Sequence, residues 1–236
     1  MPETTLMLET SDGPMACYEA APEGEASAAV VVIQEAFGVT DHIEDVARRF
    51  AARGYFALAP HIFHRTGGPR LPYDDFSKTA PHMQALTDEG QLEDVDAALA
   101  YLRPRFHDAH IGVVGFCMGG RTSFLAATNR TLGAAVGFYG GGIVTARTPN
   151  MPSLVQKVAA LRTPWLGLFG DQDQSIPVED VETLRKALKD APVETEVVRY
   201  PDAGHGFHCD ARPSYHEDSA KDGWRRTLDW LSRHLV

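Results

Sequence analysis

The sequence of 236 residues has few cysteines and no excess of positive charge, and each of these features argues against particular kinds of site or partner. Cys17, Cys117 and Cys209 are an odd number without the spacing of metal ligands, which predicts free thiols in a reducing, cytoplasmic compartment. The 22 basic residues are outnumbered by 32 acidic ones, so the net charge is −10 with neutral histidines. This balance argues against a nucleic acid or an anionic membrane as a partner.

Long apolar runs are missing as well. No segment approaches the roughly 18 consecutive apolar residues that a membrane-spanning helix needs. The first five residues lack the basic and apolar regions of a signal peptide, so we expect no export and no membrane association. Hydrophobic residues nevertheless make up 44% of the chain, which is enough to bury a substantial core.

Short apolar runs alternate with amphipathic segments along most of the chain. The predicted strands are 28–33, 55–59, 111–116, 134–138, 165–169 and 195–200, and the predicted helices are 41–53, 91–102, 121–129, 178–188 and 214–234. This alternation indicates the α/β class, with a mostly parallel central sheet and helices on both faces. Because no linker or repeat interrupts it, residues 1–236 are predicted to form a single domain. The irregular segments 60–89 and 140–152 are expected to supply a lid or binding loops.

The segment 115–120 has the pattern of a nucleophile elbow, with Cys117 where many hydrolases carry a serine. The apolar run 111–114 leads into it, and a helical segment follows. The flanking glycines let the chain turn sharply and let the helix pack closely against the strand. An arbitrary cysteine is more often inert core, but this position between strand and helix favours a catalytic nucleophile.

Polar residues also follow other predicted strands, at the sheet edge where parallel-sheet proteins form their sites. Asp173 follows strand 165–169 and His205 follows strand 195–200, which gives the order nucleophile, acid, histidine of α/β-hydrolases. His205 can accept and return a proton near neutral pH, and Asp173 can hold its ring in the productive tautomer. Asp171 competes for the role of the acid, and we favour Asp173.

Glu35 follows the first predicted strand in the same way. It is either part of the site or a solvated loop carboxylate, and its position favours the site. The oxyanion of a tetrahedral intermediate would be held by the backbone N–H groups of Met118 and Ala36, at the starts of the turns after two strands.

Four motifs together resemble the dienelactone hydrolase (carboxymethylenebutenolidase) family, and they are spread over nearly the whole chain. They are QEAFG at 34–38, GFCMGG at 115–120, GDQD at 170–173 and AGHGF at 203–207. The resemblance implies an α/β-hydrolase fold, a triad of Cys117, His205 and Asp173, and no cofactor or metal. It also implies that Glu35 contacts the thiol and helps to deprotonate it when substrate arrives.

The same resemblance implies which residues bind substrate. Arg65 matches a family arginine that holds the substrate's free carboxylate, and Tyr139 and Phe37 match residues of the pocket. A second family arginine lies four residues beyond the histidine, where this sequence has Cys209. A cysteine cannot replace a bidentate arginine, so this departure puts dienelactone itself in doubt as the substrate. Arg212 lies in the same loop and is a candidate replacement.

The leading hypothesis is therefore hydrolysis of a small ester or lactone, with or without a carboxylate, by a monomer or homodimer through a thioester acyl-enzyme. One alternative is a broad-specificity carboxylesterase. Another is a non-enzymatic ligand-binding module on the same fold, which the complete triad disfavours. A third is a metal site, although its residues lack metal-binding spacing; its candidate ligands are His61, His64, His205, His208 and Cys209.

Overall fold

The computed structural model describes residues 2–235, whose strands form one eight-stranded sheet. The strands are β1 (Glu3–Thr10), β2 (Gly13–Ala20), β3 (Ala28–Ile33), β4 (Tyr55–Pro60), β5 (Ile111–Phe116), β6 (Ala134–Phe138), β7 (Trp165–Gly170) and β8 (Thr195–Tyr200). The α-helices are α1 (Asp41–Ala51), α2 (Ala80–Gln84), α3 (Asp88–Leu102), α4 (Met118–Asn129), α5 (Val178–Ala187) and α6 (Glu217–His234). Short 3-10 helices span His64–Thr66, Phe76–Thr79, Asp108–His110, Val155–Ala160 and Leu188–Asp190.

The strand order across the sheet is β1-β2-β4-β3-β5-β6-β7-β8. Strands β3 to β8 run parallel to their neighbours, whereas β1 and β2 form an antiparallel hairpin that pairs with β4. The carboxyl ends of the parallel strands therefore meet at one edge, where the candidate site residues lie. The predicted α/β-hydrolase architecture, with a mostly parallel sheet, is confirmed.

Strand β3 shows how the sheet is covered on both faces. Val30 and Val32 belong to a core cluster that includes side chains of α1 and α6, such as Phe50 and Trp224. Their neighbours Val31 and Ile33 point the other way, into a cluster that includes residues of α3. A strand buried on both faces reads as a continuous apolar run, which is why it was recognisable in the sequence.

The bounds of β3 to β8 match the predicted strands to within one residue, but the helices differ more. Helix α1 ends at Ala51 rather than at residue 53, and Gly54 in the left-handed region (φ 88°) turns the chain toward β4. Helix α3 begins three residues earlier than predicted, because the Thr87 side chain accepts a hydrogen bond from the Gly90 N–H and caps it. Helix α4 begins directly after Cys117.

Sequence reasoning missed the hairpin of β1 and β2. Its strand β1 is the outer strand of the sheet and is largely exposed, so its apolar signal is weak. The turn consists of Ser11 and Asp12, and Gly13 follows it at φ 110°; an Asp-Gly pair is a typical hairpin signal and could have revealed it.

Candidate active site

The bend between β5 and α4 holds Cys117 in a backbone conformation that few non-glycine residues adopt (φ 56°, ψ −115°). Two neighbouring glycines make this bend possible. A Cβ atom on Gly115 would lie 1.8 Å from the Gly119 carbonyl oxygen, and one on Gly119 would lie 2.5 Å from the Ile33 carbonyl oxygen. The close packing of helix on strand thus requires glycine, and it presents the Cys117 side chain above the sheet.

The structure brings Cys117, His205 and Asp173 together. The His205 Nε2 atom lies 3.1 Å from the Cys117 Sγ atom, and the His205 Nδ1 atom lies 2.6 Å from Asp173 Oδ2. The other Asp173 oxygen accepts hydrogen bonds from the N–H and the hydroxyl of Ser175, at 2.8 and 2.7 Å. Asp171 is instead held by Arg199 through two hydrogen bonds of 2.7 Å, so it has no part in this chain of contacts.

The three groups change one another's proton affinity. Burial opposes the thiolate, but the charge and hydrogen bond of His205 outweigh it and lower the pKa of Cys117 below its ordinary value. Burial likewise opposes the imidazolium, but the charge of Cys117 and the hydrogen bond of Asp173 outweigh it and raise the pKa of His205 to about 10. Burial would raise the pKa of Asp173, and its bonds to His205 and Ser175 lower it. Both shifts favour a thiolate facing an imidazolium over the neutral pair.

Glu35 is fully buried next to this pair. Its Oε1 atom accepts hydrogen bonds from the Tyr139 hydroxyl at 3.1 Å and from Arg212 Nη1 at 3.3 Å. Its charge works against the Cys117 thiolate, whereas that of Arg212 supports it. The contact that the structure records for the Cys117 sulfur is with His205 rather than with Glu35.

A cavity of about 740 Å³ opens over the Cys117 sulfur. Ala36 and Met118, the predicted donors to an oxyanion, line it together with Cys117 and His205. Both of the irregular segments that we expected to form binding loops contribute to its wall. The first supplies Phe76, Ser77, Thr79, Ala80, Met83 and Gln84, and the second supplies Gly141, Arg147, Thr148 and Met151.

Arg65, by contrast, does not line this cavity, and the structure thus gives no support to its predicted contact with the substrate carboxylate. Its Nη1 atom lies 2.9 Å from both carboxylate oxygens of Asp94, and its Nε atom lies 2.5 Å from Asp12. Glu93 adds a third carboxylate at 3.4 Å. Because acidic side chains of α3 and of the hairpin turn already bind the guanidinium, Arg65 links these elements to the 3-10 helix that carries it.

Phe37 and Tyr139 also lie behind the cavity wall rather than in it. Phe37 is buried against Tyr73, with 4.6 Å between the ring centroids, and the Arg212 guanidinium lies over the Phe37 ring, 5.4 Å from its centroid. The Tyr139 ring contacts the His205 ring edge-on at 5.1 Å while its hydroxyl binds Glu35. Both residues therefore support groups that reach the cavity.

Arg147 and Ser175 were not predicted as site residues. Ser175 contacts Asp173 and lies 3.4 Å from His205 Nδ1, and Arg147 donates a hydrogen bond to the Ser175 carbonyl oxygen at 2.5 Å. The only sequence signal for Arg147 was its place in a glycine- and proline-rich loop, which predicts proximity to a site but not a role.

Within residues 2–235, no cluster of three or more His, Cys, Asp or Glu side chains is arranged to hold a metal ion. Of the histidines considered as ligands, His64 pairs with Asp94 at 3.0 Å and His208 is packed between aromatic rings. Residues 2–235 also contain no helix whose length and hydrophobicity would suit a membrane span.

Replacement of Arg65 by glutamine tests its position outside the cavity. We expect kcat and KM to stay within about threefold of the wild-type values, because the cavity is untouched. The free energy of unfolding should fall by about 1–3 kcal/mol, since the buried carboxylate of Asp94 loses a partner. Steady-state kinetics and urea denaturation measure the two quantities. A large rise in KM for a carboxylate-bearing ester, with stability unchanged, would restore Arg65 to the substrate site.

Known proteins match both the sequence and the fold over most of the chain. A family model described as the dienelactone hydrolase family matches residues 15–235. A protein of Salmonella typhimurium named "Putative carboxymethylenebutenolidase" is 43% identical over 230 residues, which cover 93% of this chain and 83% of that protein. A protein of Escherichia coli K12 with the same name is 41% identical over 242 residues, covering 99% of this chain and 83% of its own.

A relative from Bradyrhizobium carries the name of a 2-oxo-3-(5-oxofuran-2-ylidene)propanoate lactonase, with the qualifier "Probable". It is 34% identical over 212 residues, covering 88% of this chain and 84% of that protein. Among solved structures, a protein from Klebsiella pneumoniae described as a "Putative Dienelactone Hydrolase" superposes with a TM-score of 0.91 at 36% identity, covering 98% of each chain.

Proposed function

Since the chain belongs to the dienelactone hydrolase family, whose model matches residues 15–235, we propose that it hydrolyses a lactone or small ester with Cys117 as nucleophile. That the enzyme is a hydrolase of lactone or ester bonds follows from the family. The geometric support for the residues is the continuous chain of contacts from the Cys117 sulfur through His205 to Asp173, at 3.1 and 2.6 Å, on an elbow that opens into the cavity.

In the proposed acylation step, the Cys117 thiolate attacks the carbonyl carbon of the substrate and forms a C–S bond. The electron pair of the C=O bond moves to oxygen, where the backbone N–H groups of Met118 and Ala36 stabilise the negative charge. When the intermediate collapses, the bond to the leaving oxygen breaks and the imidazolium of His205 protonates it. The product of this step is a thioester on the enzyme, and with a lactone the new hydroxyl stays on the acyl group.

Deacylation regenerates the Cys117 thiolate and the His205 imidazolium. Neutral His205 accepts a proton from water as the water oxygen attacks the thioester, and the thiolate leaves as the carboxylic acid forms. Asp173 holds the ring of His205 with Nε2 toward the sulfur throughout. The same groups therefore serve both steps.

Buried Glu35 and the partly exposed Arg212 give the site a second charge pair at 3.3 Å. We propose that Arg212, the candidate replacement for the family arginine missing at position 209, acts on the Cys117 thiolate and does not hold a substrate carboxylate, because Glu35 already neutralises its charge. Because the carboxylate of Glu35 disfavours the thiolate while the guanidinium favours it, any shift of this pair changes the proton affinity of Cys117.

A panel of p-nitrophenyl esters and a dienelactone, assayed with the purified protein, tests the proposed activity. Release of product together with a mass shift on Cys117 would support it.

The unpaired cysteines also suit a reducing compartment, so we propose that the enzyme acts in the cytoplasm, as a monomer or homodimer.

The pH dependence of kcat/KM should reflect the thiolate–imidazolium pair. Activity requires the thiolate, so on the acid side it should fall when Cys117 is protonated, at a pH below the ordinary thiol pKa of about 8.5. Loss of the imidazolium, the acid of the first step, should produce a second decline as the pH approaches about 10. Stopped-flow or steady-state rates from pH 4 to 11 would reveal both limbs.

Replacement of Asp173 by asparagine provides the control for that profile. Because Asp173 helps to raise the pKa of His205, its loss should move the alkaline limb to lower pH, in addition to lowering the rate. An alkaline limb that stays in place in this variant would show that the group titrating there is not His205.

A further inference from the structure

Among the described residues, three arginines line the active-site cavity, and two of them already bind carboxylates. Arg121 is buried, and its guanidinium donates hydrogen bonds to Asp88 at 2.6 Å and to two backbone carbonyls, so it ties α4 to α3 and to the loop after β6. Arg212 pairs with Glu35 at 3.3 Å. Neither guanidinium has its full charge available to a ligand.

Arg147 differs from both. It is exposed at the cavity wall and forms no ion pair with any carboxylate in residues 2–235. Its Nη2 atom donates to the Ser175 carbonyl oxygen, which fixes the guanidinium beside the loop that carries Asp173. A guanidinium has five N–H donors, so this one hydrogen bond leaves most of them for a ligand.

The backbone beneath Arg147 leaves room for its guanidinium at the cavity wall. A Cβ atom on Gly141 would come within 2.4 Å of the Arg147 Nη2 atom, so the guanidinium crosses directly over that glycine. The φ angle of Gly141 is one that alanine can adopt, because no left-handed φ is recorded for it. The glycine thus provides room for the arginine rather than an unusual turn.

The rest of the wall is largely apolar, with Phe76, Met83, Met118 and Met151 among its side chains. The volume of about 740 Å³ falls within the range of about 300–1,000 Å³ that is typical of sites for ligands larger than a simple lactone ring. An apolar space with one unpaired cation suits a substrate with an apolar body and an anionic end.

We propose that Arg147 binds the anionic group of the substrate, so that the enzyme selects esters whose acyl chain is apolar and ends in a carboxylate. This inference rests on the proposed function, since it concerns the substrate of the same site. Arg147 is assigned to specificity: it contacts the distant carboxylate and takes no part in the acyl transfer at Cys117.

Two esters of equal chain length test the assignment: p-nitrophenyl hexanoate, which is neutral, and mono-p-nitrophenyl adipate, which ends in a carboxylate. The wild-type enzyme should have the higher kcat/KM for the adipate ester. Replacement of Arg147 by glutamine should lower kcat/KM for that ester by about 10- to 100-fold, mainly through KM, because a charge-assisted bidentate contact is lost. The value for the hexanoate ester should change by less than about twofold.

Two further variants control for net charge and for position. Arg162→Gln removes another exposed arginine, which lies outside the cavity, and it should leave the rates with both esters unchanged. Gly141→Ala keeps the charge but displaces the guanidinium, so it should lower the ratio of the two kcat/KM values. Binding of both esters to the Cys117→Ala variant, measured by calorimetry, makes the same comparison without turnover.

The assignment would be overturned if the wild-type enzyme did not distinguish the two esters, or if Arg147→Gln weakened both equally. An equal effect of Arg162→Gln would overturn it as well, because general electrostatic attraction would then explain the preference. Failure of the proposed function has a different signature: the hexanoate ester would be hydrolysed as fast by the Cys117→Ala variant as by the wild type.

Discussion

Replacement of Cys117 by alanine should lower kcat for any ester substrate by a factor on the order of 10³ or more, because the nucleophile of the proposed mechanism is lost. The backbone at this position, with φ 56°, is set by the packing of α4 on β5 and not by the thiol. We therefore expect the variant to fold and to bind substrate with little change. Initial rates with a p-nitrophenyl ester, together with thermal unfolding, separate the loss of chemistry from a loss of structure.

Cys17→Ala is the matched control, because it removes a buried thiol on β2 outside the cavity. It should cost some stability through the small void that it leaves, while kcat stays within about twofold. The proposed mechanism is wrong if Cys117→Ala keeps wild-type turnover, or if the Cys17 variant loses as much activity.

The three thiols should also differ in their reaction with iodoacetamide. The pKa of Cys117 is lowered, chiefly because His205 outweighs the effect of burial, and the thiolate is the reactive form. Burial raises the pKa of Cys17 and raises that of Cys209 to about 12. Peptide mass spectrometry of protein labelled at neutral pH would show which cysteine reacts first, and this readout does not depend on knowing the substrate.

The proximity of Cys117, Asp173 and His205 could be predicted from sequence because the sheet itself brings them together. Each of Cys117, Asp173 and His205 follows a strand whose apolar residues are readable, and parallel strands all end at the same edge. Short motifs around each residue then indicated the turn geometry. The distances of 3.1 and 2.6 Å between these groups agree with this expected proximity, although the apolar pattern alone predicts only the shared edge.

Which arginines reach the cavity depends on contacts that no local pattern reveals. Arg65 is bound by Asp94 on α3 and by Asp12 in a hairpin turn, and that hairpin had escaped detection because its outer strand is exposed. A single sequence cannot show that these carboxylates meet the arginine. The same holds for Arg147, whose position depends on space above Gly141 and on a carbonyl oxygen 28 residues further along the chain.

The second large effect is the loss of stability that we expect when a glycine of the elbow is replaced. Gly115→Ala should destabilise the protein by about 4 kcal/mol or more, because the new Cβ atom would lie 1.8 Å from the carbonyl oxygen of Gly119 and 2.2 Å from its carbonyl carbon. These are backbone atoms of α4, so no side chain can move aside to relieve the contact. The helix has to shift away from β5, and Cys117 and Met118 at its start must shift with it. Urea denaturation monitored by circular dichroism measures the loss of stability.

Gly24→Ala is the matched control for this effect, since a Cβ atom there would meet no atom within 4 Å and the change should stay within about 0.5 kcal/mol. A shift of α4 would also separate the Cys117 sulfur from His205, so any Gly115→Ala protein that folds at low temperature should have lost the reactive thiol. Loss of selective iodoacetamide labelling at Cys117 in this variant would show that the helix position sets the reactivity of the thiol. If Gly115→Ala instead keeps both its stability and its labelling, the close contact of strand and helix at the elbow is not what holds the nucleophile in place.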